Sequence, residues 1–214
     1  MGLWALDLAG QPGQALLRTI HNGLGATTRF EYATSAHMSL EAAAHGTPWT
    51  RHLPTNLVLP WRQTVHSGAF GEPERVTTFR VRDGFWDTAE RRFGGYLGTF
   101  TTQQADQPSE QLVEEVEYEA GLGTSRALRG MTRRKVTYDG TGKVFSEVFN
   151  VWEPWPVASL PPTEPLLRVA VLREAVTDVY EGEAAPVTTR TVAYYDGEGR
   201  PAREVNHGRL DLAG

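Results

Sequence analysis

The sequence predicts a mainly β protein of antiparallel hairpins arranged as a meander, with little helix. Three observations carry this. Most apolar segments alternate with period two, as where Phe30 and Tyr32 are set against Arg29 and Glu31; that is the pattern of a strand with unlike faces. The same segments are rich in Val, Thr, Tyr and Phe, which suit a pleated surface. Turn residues punctuate them, with 22 glycines and 13 prolines in 214 residues,.

The first strands are expected over 15–20 and 26–32, separated by His21-Asn22-Gly23-Leu24-Gly25. Asn-Gly between strand patterns is the strongest short hairpin signal, because both residues accept positive φ. Asn22 and Gly23 are therefore expected to form a two-residue turn, with Gly25 just after it. Residues 38–44 carry the one helical signal, about two turns, with Ser35 or Ser39 near the cap and Gly46, Thr47 and Pro48 ending it,. Strands follow at 57–66 and 76–81.

Next comes the densest stretch of the chain, Arg82-Asp83-Gly84-Phe85-Trp86-Asp87-Thr88-Ala89-Glu90-Arg91-Arg92-Phe93-Gly94-Gly95-Tyr96. Asp-Gly favours a turn, so Asp83 and Gly84 are expected in one, with Asp83 or Asp87 accepting backbone N–H groups. Glu90 is expected to pair with Arg91 or Arg92. Phe93 and Tyr96 are expected to pack inward, with Gly94 and Gly95 allowing close backbone approach.

A polar loop with Pro108 spans 103–110, and strands follow at 112–118, 135–138, 144–151, 167–180 and 187–195. Residues 152–165 are dense in proline, which cannot supply continuous ladder donors, so an extended crossing or linker is expected. The chain then divides into a β domain over 1–153, a proline-rich crossing over 154–165 and a strand group over 166–214.

Composition excludes several functions. Without cysteine there are no disulfides, thiolate metal sites or cysteine nucleophiles,. A net charge of -5 argues against nucleic acid or anionic membrane as a partner,. The basic run Arg133-Arg134-Lys135 reads as a solvated strand face,. No apolar run approaches the length of a membrane span, so direct membrane insertion is not expected. The first seven residues lack a basic n-region and are broken by Asp7, so they are not read as a signal peptide,.

Catalytic residues, cofactors and metals are all expected to be absent. Asp83, Asp87 and Glu90 suggest a calcium loop, but Phe85 and Trp86 stand where oxygen donors are needed,. As a glycosidase pair these carboxylates carry no separation that a sequence reveals. His21, His37, His45, His52, His66 and His207 are scattered without HExxH spacing,. No helix follows Gly23 and Gly25 to make a dinucleotide site, and no G-x-S-x-G elbow occurs,. The best rival function is a sugar-stacking surface of Trp49, Trp61, Trp86, Trp152, Trp155 and Tyr96; core packing is the other use of large aromatics,.

One internal repeat is visible. Val136-Thr137-Tyr138-Asp139-Gly140-Thr141-Gly142-Lys143 matches the segment from Val192 through Tyr195-Asp196-Gly197-Glu198-Gly199-Arg200. Each reads as a strand, then Tyr-Asp-x-x-Gly, then a basic residue: a hairpin corner in which Asp accepts turn N–H groups and Gly takes the left-handed position.

That core resembles the YD repeat of Rhs proteins. Longer motifs resemble the middle region of the B component of insecticidal toxin complexes and related virulence proteins of the Salmonella plasmid type. Residues 16–28 are similar to its LL-x-x-I-x-NGLGATT stretch, Pro48-Trp49 with Arg51-His52-Leu53-Pro54 to its next element, and Asp83-Gly84-Phe85-Trp86-Asp87 with Glu90, Arg91 and Phe93 to its DGYYD…EREFRGFG. The resemblance spans about residues 15 to 208 in matching order.

The resemblance implies a non-enzymatic structural segment of a secreted shell that encloses a toxin payload. It also implies an upstream propeller, downstream Rhs shell segments and a C component as partners. Departures are Arg92 in place of an acid, Gly94 in place of an arginine and Leu97 in place of a glycine, so the charge network there is expected to be rewired. The two Tyr-Asp cores lie 57 positions apart, far more than one repeat. The chain is thus expected to be a fragment, a lone domain or a truncated relative, unable to close a shell alone.

Overall fold

The computed structural model describes residues 5–7, 16–51, 53–156, 168–180 and 182–210. It contains one twelve-stranded sheet in which every strand pairs antiparallel with its neighbours in sequence. The strands are β1 (Ala5–Asp7), β2 (Thr19–His21), β3 (Thr27–Thr34), β4 (Val58–His66), β5 (Arg75–Asp87), β6 (Arg92–Gln103), β7 (Leu112–Tyr118), β8 (Thr132–Asp139), β9 (Val144–Pro156), β10 (Arg168–Val179), β11 (Val187–Tyr195) and β12 (Pro201–Arg209). The meander expected from the alternation is therefore present. In such a sheet every second connection falls at the same end.

The single α-helix among the described residues, α1 (Ser35–Ala44), joins β3 to β4 and packs on β3 and β5. It starts earlier than the sequence suggests. Its N-cap is Thr34, whose hydroxyl accepts the His37 N–H, while Ser35 is buried inside the first turn,. A 3-10 segment at Gly123–Leu128 lies between β7 and β8 and contacts β9 and β10.

One layer of sheet cannot cover both its faces, and the burial shows it. The buried apolar set among the described residues is short: Met38, Trp49, Phe85, Val113, Val116, Leu128, Val136 and Val171, with no side chain below 2% exposure. Packing is densest where a connection folds back over the sheet.

Four expectations need correction. Asn22 and Gly23 do not form a two-residue turn: His21 pairs with Thr27, so the loop spans five residues, 22–26. Asp83 and Gly84 are not in a turn either. They lie within β5, which runs on to Asp87, and the turn is 88–91. Phe93 is not packed inward, being 37% exposed; the inward ring is Phe85, at 4%. Finally, Pro154, Trp155 and Pro156 belong to β9, paired with Ala170, Val169 and Arg168. Proline is tolerated there because the β8–β9 ladder ends at Arg134 and Phe149, leaving that part of β9 with β10 as its one neighbour,. Asn150 and Trp152 close the gap by donating to the Thr132 carbonyl. Residues 157–167 lie outside the described residues.

The five-residue loop has a clear logic. Asn22 Oδ1 accepts the N–H groups of Leu24 at 2.8 Å and Ala26 at 3.0 Å, and Asn22 N–H donates to the Ala26 carbonyl. Gly25 has φ of 98°. A β-branched side chain resists that conformation, so Gly25→Val is expected to cost about 1–3 kcal/mol in a denaturant titration. Gly25→Asn is expected to lose less, because Asn tolerates the left-handed region; equal losses would count against backbone strain as the cause.

Candidate functional site

The densest assembly of sequence-flagged residues lies at one end of the sheet, where three successive same-end connections meet. They are the α1-containing segment 35–57, the β5–β6 turn 88–91 and the β7–β8 connection 119–131. The motif around Pro48 and Trp49 and the motif at 83–96, separate in the sequence, touch here.

Asp83 makes the first link. It sits in β5 with φ of 53°. Its Oδ1 accepts from the backbone N–H of Thr50 at 2.5 Å, the Thr50 hydroxyl at 3.1 Å and the N–H of Arg51 at 3.1 Å. It accepts backbone N–H groups as expected of it, but from a distant loop rather than from its own turn. The Arg51 guanidinium lies 5.7 Å from the centroid of the Phe85 ring. A Cβ at Gly84 would lie 2.8 Å from both Leu53 Cδ1 and Tyr96 Cε1, so glycine is needed for close approach. Trp49 meets Tyr96 edge-on, at 6.0 Å and 72°, and Phe93 meets Tyr96 at 5.1 Å and 66°.

The β5–β6 ladder carries a bulge here. Phe85 pairs with Gly95 and Trp86 with Phe93, leaving Gly94 as the extra residue,. Gly95 follows at φ of 117°. One edge of the Phe85 ring lies against Gly94, so near that a Cβ there would stand 2.2 Å from its Cε2.

Asp87 makes the second link. It is 5% exposed. Its Oδ1 accepts from Ala89 N–H at 3.0 Å and Glu90 N–H at 3.1 Å, which builds the turn. Its Oδ2 accepts from Arg129 Nη2. Arg129 Nη1 also donates to Glu90 Oε2 at 2.6 Å, and Glu90 further pairs with Arg92 and Arg126. Arg91 turns the corner at φ of 53° and makes no ion pair among the described residues. The rewiring is concrete. Arg92 neutralises Glu90, Gly94 gives its space to Phe85, and Arg129, 42 positions beyond Asp87, bridges both carboxylates. Nothing local in the sequence marked Arg129, because its partners come from another hairpin.

These contacts set the charge state. The Asp87 carboxyl is held below its ordinary range by the Glu90 N–H first and by Arg129, against the opposing effect of burial. Glu90 is held low by Arg129 first and then Arg92. Both are ionised and compensated, which makes them poor proton donors and good fasteners. Because both folded-state values lie below the unfolded ones, their stabilisation is present above the ordinary carboxylate range and is lost as pH falls through and below it. Melting temperature is expected to drop from about pH 5 downward. Arg129→Met is expected to flatten that drop; an unchanged acid profile in the variant would show that the network does not carry it.

A row of alternating charge crosses β5, β7, β8 and β9. Arg82 pairs with Glu115 and Glu117, and Arg134 with Glu117 and Glu147. Burial opposes ionisation of Glu117, but Arg133, Arg134 and Arg82 together keep its carboxyl low. The basic run thus faces acids on adjacent strands. Among the described residues no group of three or more His, Asp or Glu is placed to hold a metal, and no helix is long and apolar enough to cross a membrane.

The Tyr-Asp residues form corners of one kind. Asp139 Oδ1 accepts from Thr141 N–H and hydroxyl and from Lys143 N–H, and Asp139 N–H donates to the Lys143 carbonyl. Asp196 Oδ1 accepts from Glu198 N–H and Arg200 N–H, and its N–H donates to the Arg200 carbonyl. Gly142 and Gly199 take φ of 91° and 75°. Tyr138 pairs with Val144 and Tyr195 with Pro201, and the Tyr195 hydroxyl reaches the Leu172 carbonyl at 2.8 Å.

Asn22 repeats the two side-chain-to-backbone bonds and the closing backbone bond of this pattern, with Gly25 in the glycine position and His21 in place of Tyr; it differs in that Gly23 also takes a positive φ, of 74°. The structure therefore holds three such corners where the sequence reading found two. The signal was present: Asn22-Gly23-Leu24-Gly25, Asp139-Gly140-Thr141-Gly142 and Asp196-Gly197-Glu198-Gly199 share Asx-Gly-x-Gly. Asp83-Gly84 lacks the second glycine and makes no turn.

The class these features define is a single-sheet antiparallel β meander with fastened corners and three Asx-Gly-x-Gly hairpins. The chain belongs to the family described as the insecticide toxin TcdB middle/N-terminal region, whose model matches residues 4–119. The fold is also that of solved toxin-complex structures. The crystal structure of TcdB2-TccC3 matches with a TM-score of 0.76 at 17% identity, over 90% of this chain and 12% of that one. TcdB2-TccC3 without its hypervariable C-terminal region matches with 0.75 and 17%, over 89% and 12%. TcdB2-TccC3-Cdc42 matches with 0.76 and 17%, over 92% and 12%. The chain thus spans about an eighth of the solved chains it matches. No curated protein matches it in sequence.

Proposed function

We propose that this chain is a non-enzymatic structural segment of a secreted toxin-complex, Rhs-type shell that encloses a toxin payload. The observation that carries the reading is the three-way junction at Asp83, Asp87 and Arg129. Its carboxylates are spent on joining successive connections, Asp83 on the Thr50 and Arg51 N–H groups and Asp87 and Glu90 on Arg129, while Trp49 Nε1, Tyr96 Oη and Arg129 Nε are buried without a partner among the described residues. Family membership and the likeness to TcdB2-TccC3 support it. On this reading the partners are an upstream propeller, downstream Rhs shell segments carrying more Tyr-Asp corners, and a C component. Nucleic acid has no part, and neither does insertion into a membrane. The division at 154–165 is kept as a proposal about where the middle region gives way to the repeat array.

The rival, a carbohydrate- or receptor-binding β module, needs an exposed coplanar aromatic platform. Trp49 is buried and meets Tyr96 edge-on. A hydrolase needs carboxylates converging on open space, whereas Asp83 faces the backbone of Thr50 and Arg51, and Asp87 and Glu90 face Arg129.

The test is protection of a payload. The reading frame carrying this chain, with whatever flanks it, is expressed with a C-type component and treated with trypsin. The payload is expected to survive, and to be cut in a Gly94→Leu variant, where a side chain displaces Phe85. A payload digested as fast as the free toxin would sink the proposal.

A further inference from the structure

The β2–β3 and β4–β5 loops lie at the same end of the sheet and touch. A Cβ at Gly68 would stand 2.5 Å from the Gly25 carbonyl carbon, so the two backbones are in direct contact. Each loop carries one large apolar residue in water, Leu24 at 89% exposure and Phe70 at 108%. A lone exposed hydrophobe is ordinary. Two on touching loops are less so, and the corner geometry supplies a comparison. At the position of Leu24 the other two Asx-Gly-x-Gly corners carry Thr141 and Glu198. Corners that share the Asx side-chain bonds and the closing backbone bond thus display a polar residue twice and an apolar residue once.

The backbone beneath the two side chains is tied down: Leu24 N–H is held by Asn22 Oδ1, and the glycine contact sets one loop against the other. Fixing the backbone that carries a side chain before contact lowers part of the entropic cost of docking. The loops' charge indicates the partner. Residues 22–26 carry none, whereas 67–74 carry Glu72 and Glu74, both exposed, and no basic residue. That disfavours an anionic lipid surface and matches a basic rim.

We propose that Leu24 and Phe70 form a docking surface for a protein partner that offers an apolar pocket rimmed by Lys or Arg. This goes beyond the shell reading and does not depend on it.

The test is to pan a phage-displayed library of random peptides on the purified chain. Enriched peptides are expected to join an aromatic or aliphatic residue to Lys or Arg. Their binding is expected to weaken about tenfold or more on Phe70→Ser or Leu24→Ser, and to weaken on Glu72→Lys with Glu74→Lys. Both serine variants remove exposed side chains, so their melts are expected to match the parent and to exclude misfolding as the cause. No enrichment, or enrichment indifferent to these substitutions, overturns the proposal. So does Phe70-dependent binding to phosphatidylcholine vesicles, which would make the surface a membrane contact, or Phe70-dependent self-association, which would make the partner a second copy.

Discussion

Phe85→Ala is expected to destabilise the protein by about 3–5 kcal/mol, the usual cost of truncating a fully packed phenylalanine. Phe85 is among the most enclosed side chains described, at 4% exposure. It is central because three things meet on it. The bulge glycine Gly94 lies against its ring edge, the Arg51 guanidinium lies over its face, and the backbone of β5 carries it between Asp83 and Asp87. In so thin a core there is little around it to collapse into the void, so the cost should fall at the upper part of that range. Phe93→Ala is the control. That side chain is 37% exposed and touches Tyr96 at its edge, so it is expected to lose well under half as much. Urea titrations of both variants check the order; equal losses would show that the corner does not pack around Phe85.

The meander was legible because its signal is local. Period-two alternation and Val, Thr, Tyr and Phe enrichment act within each strand, so β3, β4, β7 and β8 fall near their expected places. What failed was also physical. Asp83-Gly84 looked like a turn because Asp-Gly is a turn pair in isolation, but here Asp83 is drawn to the N–H groups of Thr50 and Arg51, more than thirty positions away. Residues 92–103 form a long strand in spite of Gly94, Gly95 and Gly98, because bulge and close packing require those glycines. Pro154 and Pro156 read as chain breaks since sequence does not show that β8 has already ended beside them. Strand β12 is the return strand that the Asp196 hairpin corner implies; the corner and not the strand signals it, because its own residues are mostly exposed and carry little apolar alternation. At the candidate site the carboxylates were identifiable by type and their cation was not. Arg129 acquires its role from a hairpin that the chain has not yet formed when Asp87 is read.

Gly94→Ala tests the corner from the opposite side. The added Cβ would stand 2.2 Å from Phe85 Cε2 and 2.5 Å from its Cζ, distances no packed pair sustains. Either the ring leaves its site or β6 shifts away from β5. The expected loss is about 1–3 kcal/mol, toward the high end because a ring edge on a buried backbone has little freedom to yield. A second arrangement separates this clash from an effect of glycine on the backbone itself. In a Phe85→Ala background the ring is gone, so Gly94→Ala should cost little there, and the double variant should be more stable than the two losses added together. The expected coupling is on the order of 1–2 kcal/mol, as for residues in direct contact. Additivity within about 0.5 kcal/mol would mean that Gly94 serves the bulge conformation alone. In that case the substitution of glycine for the arginine of the resembling motif would not be explained by making room for Phe85.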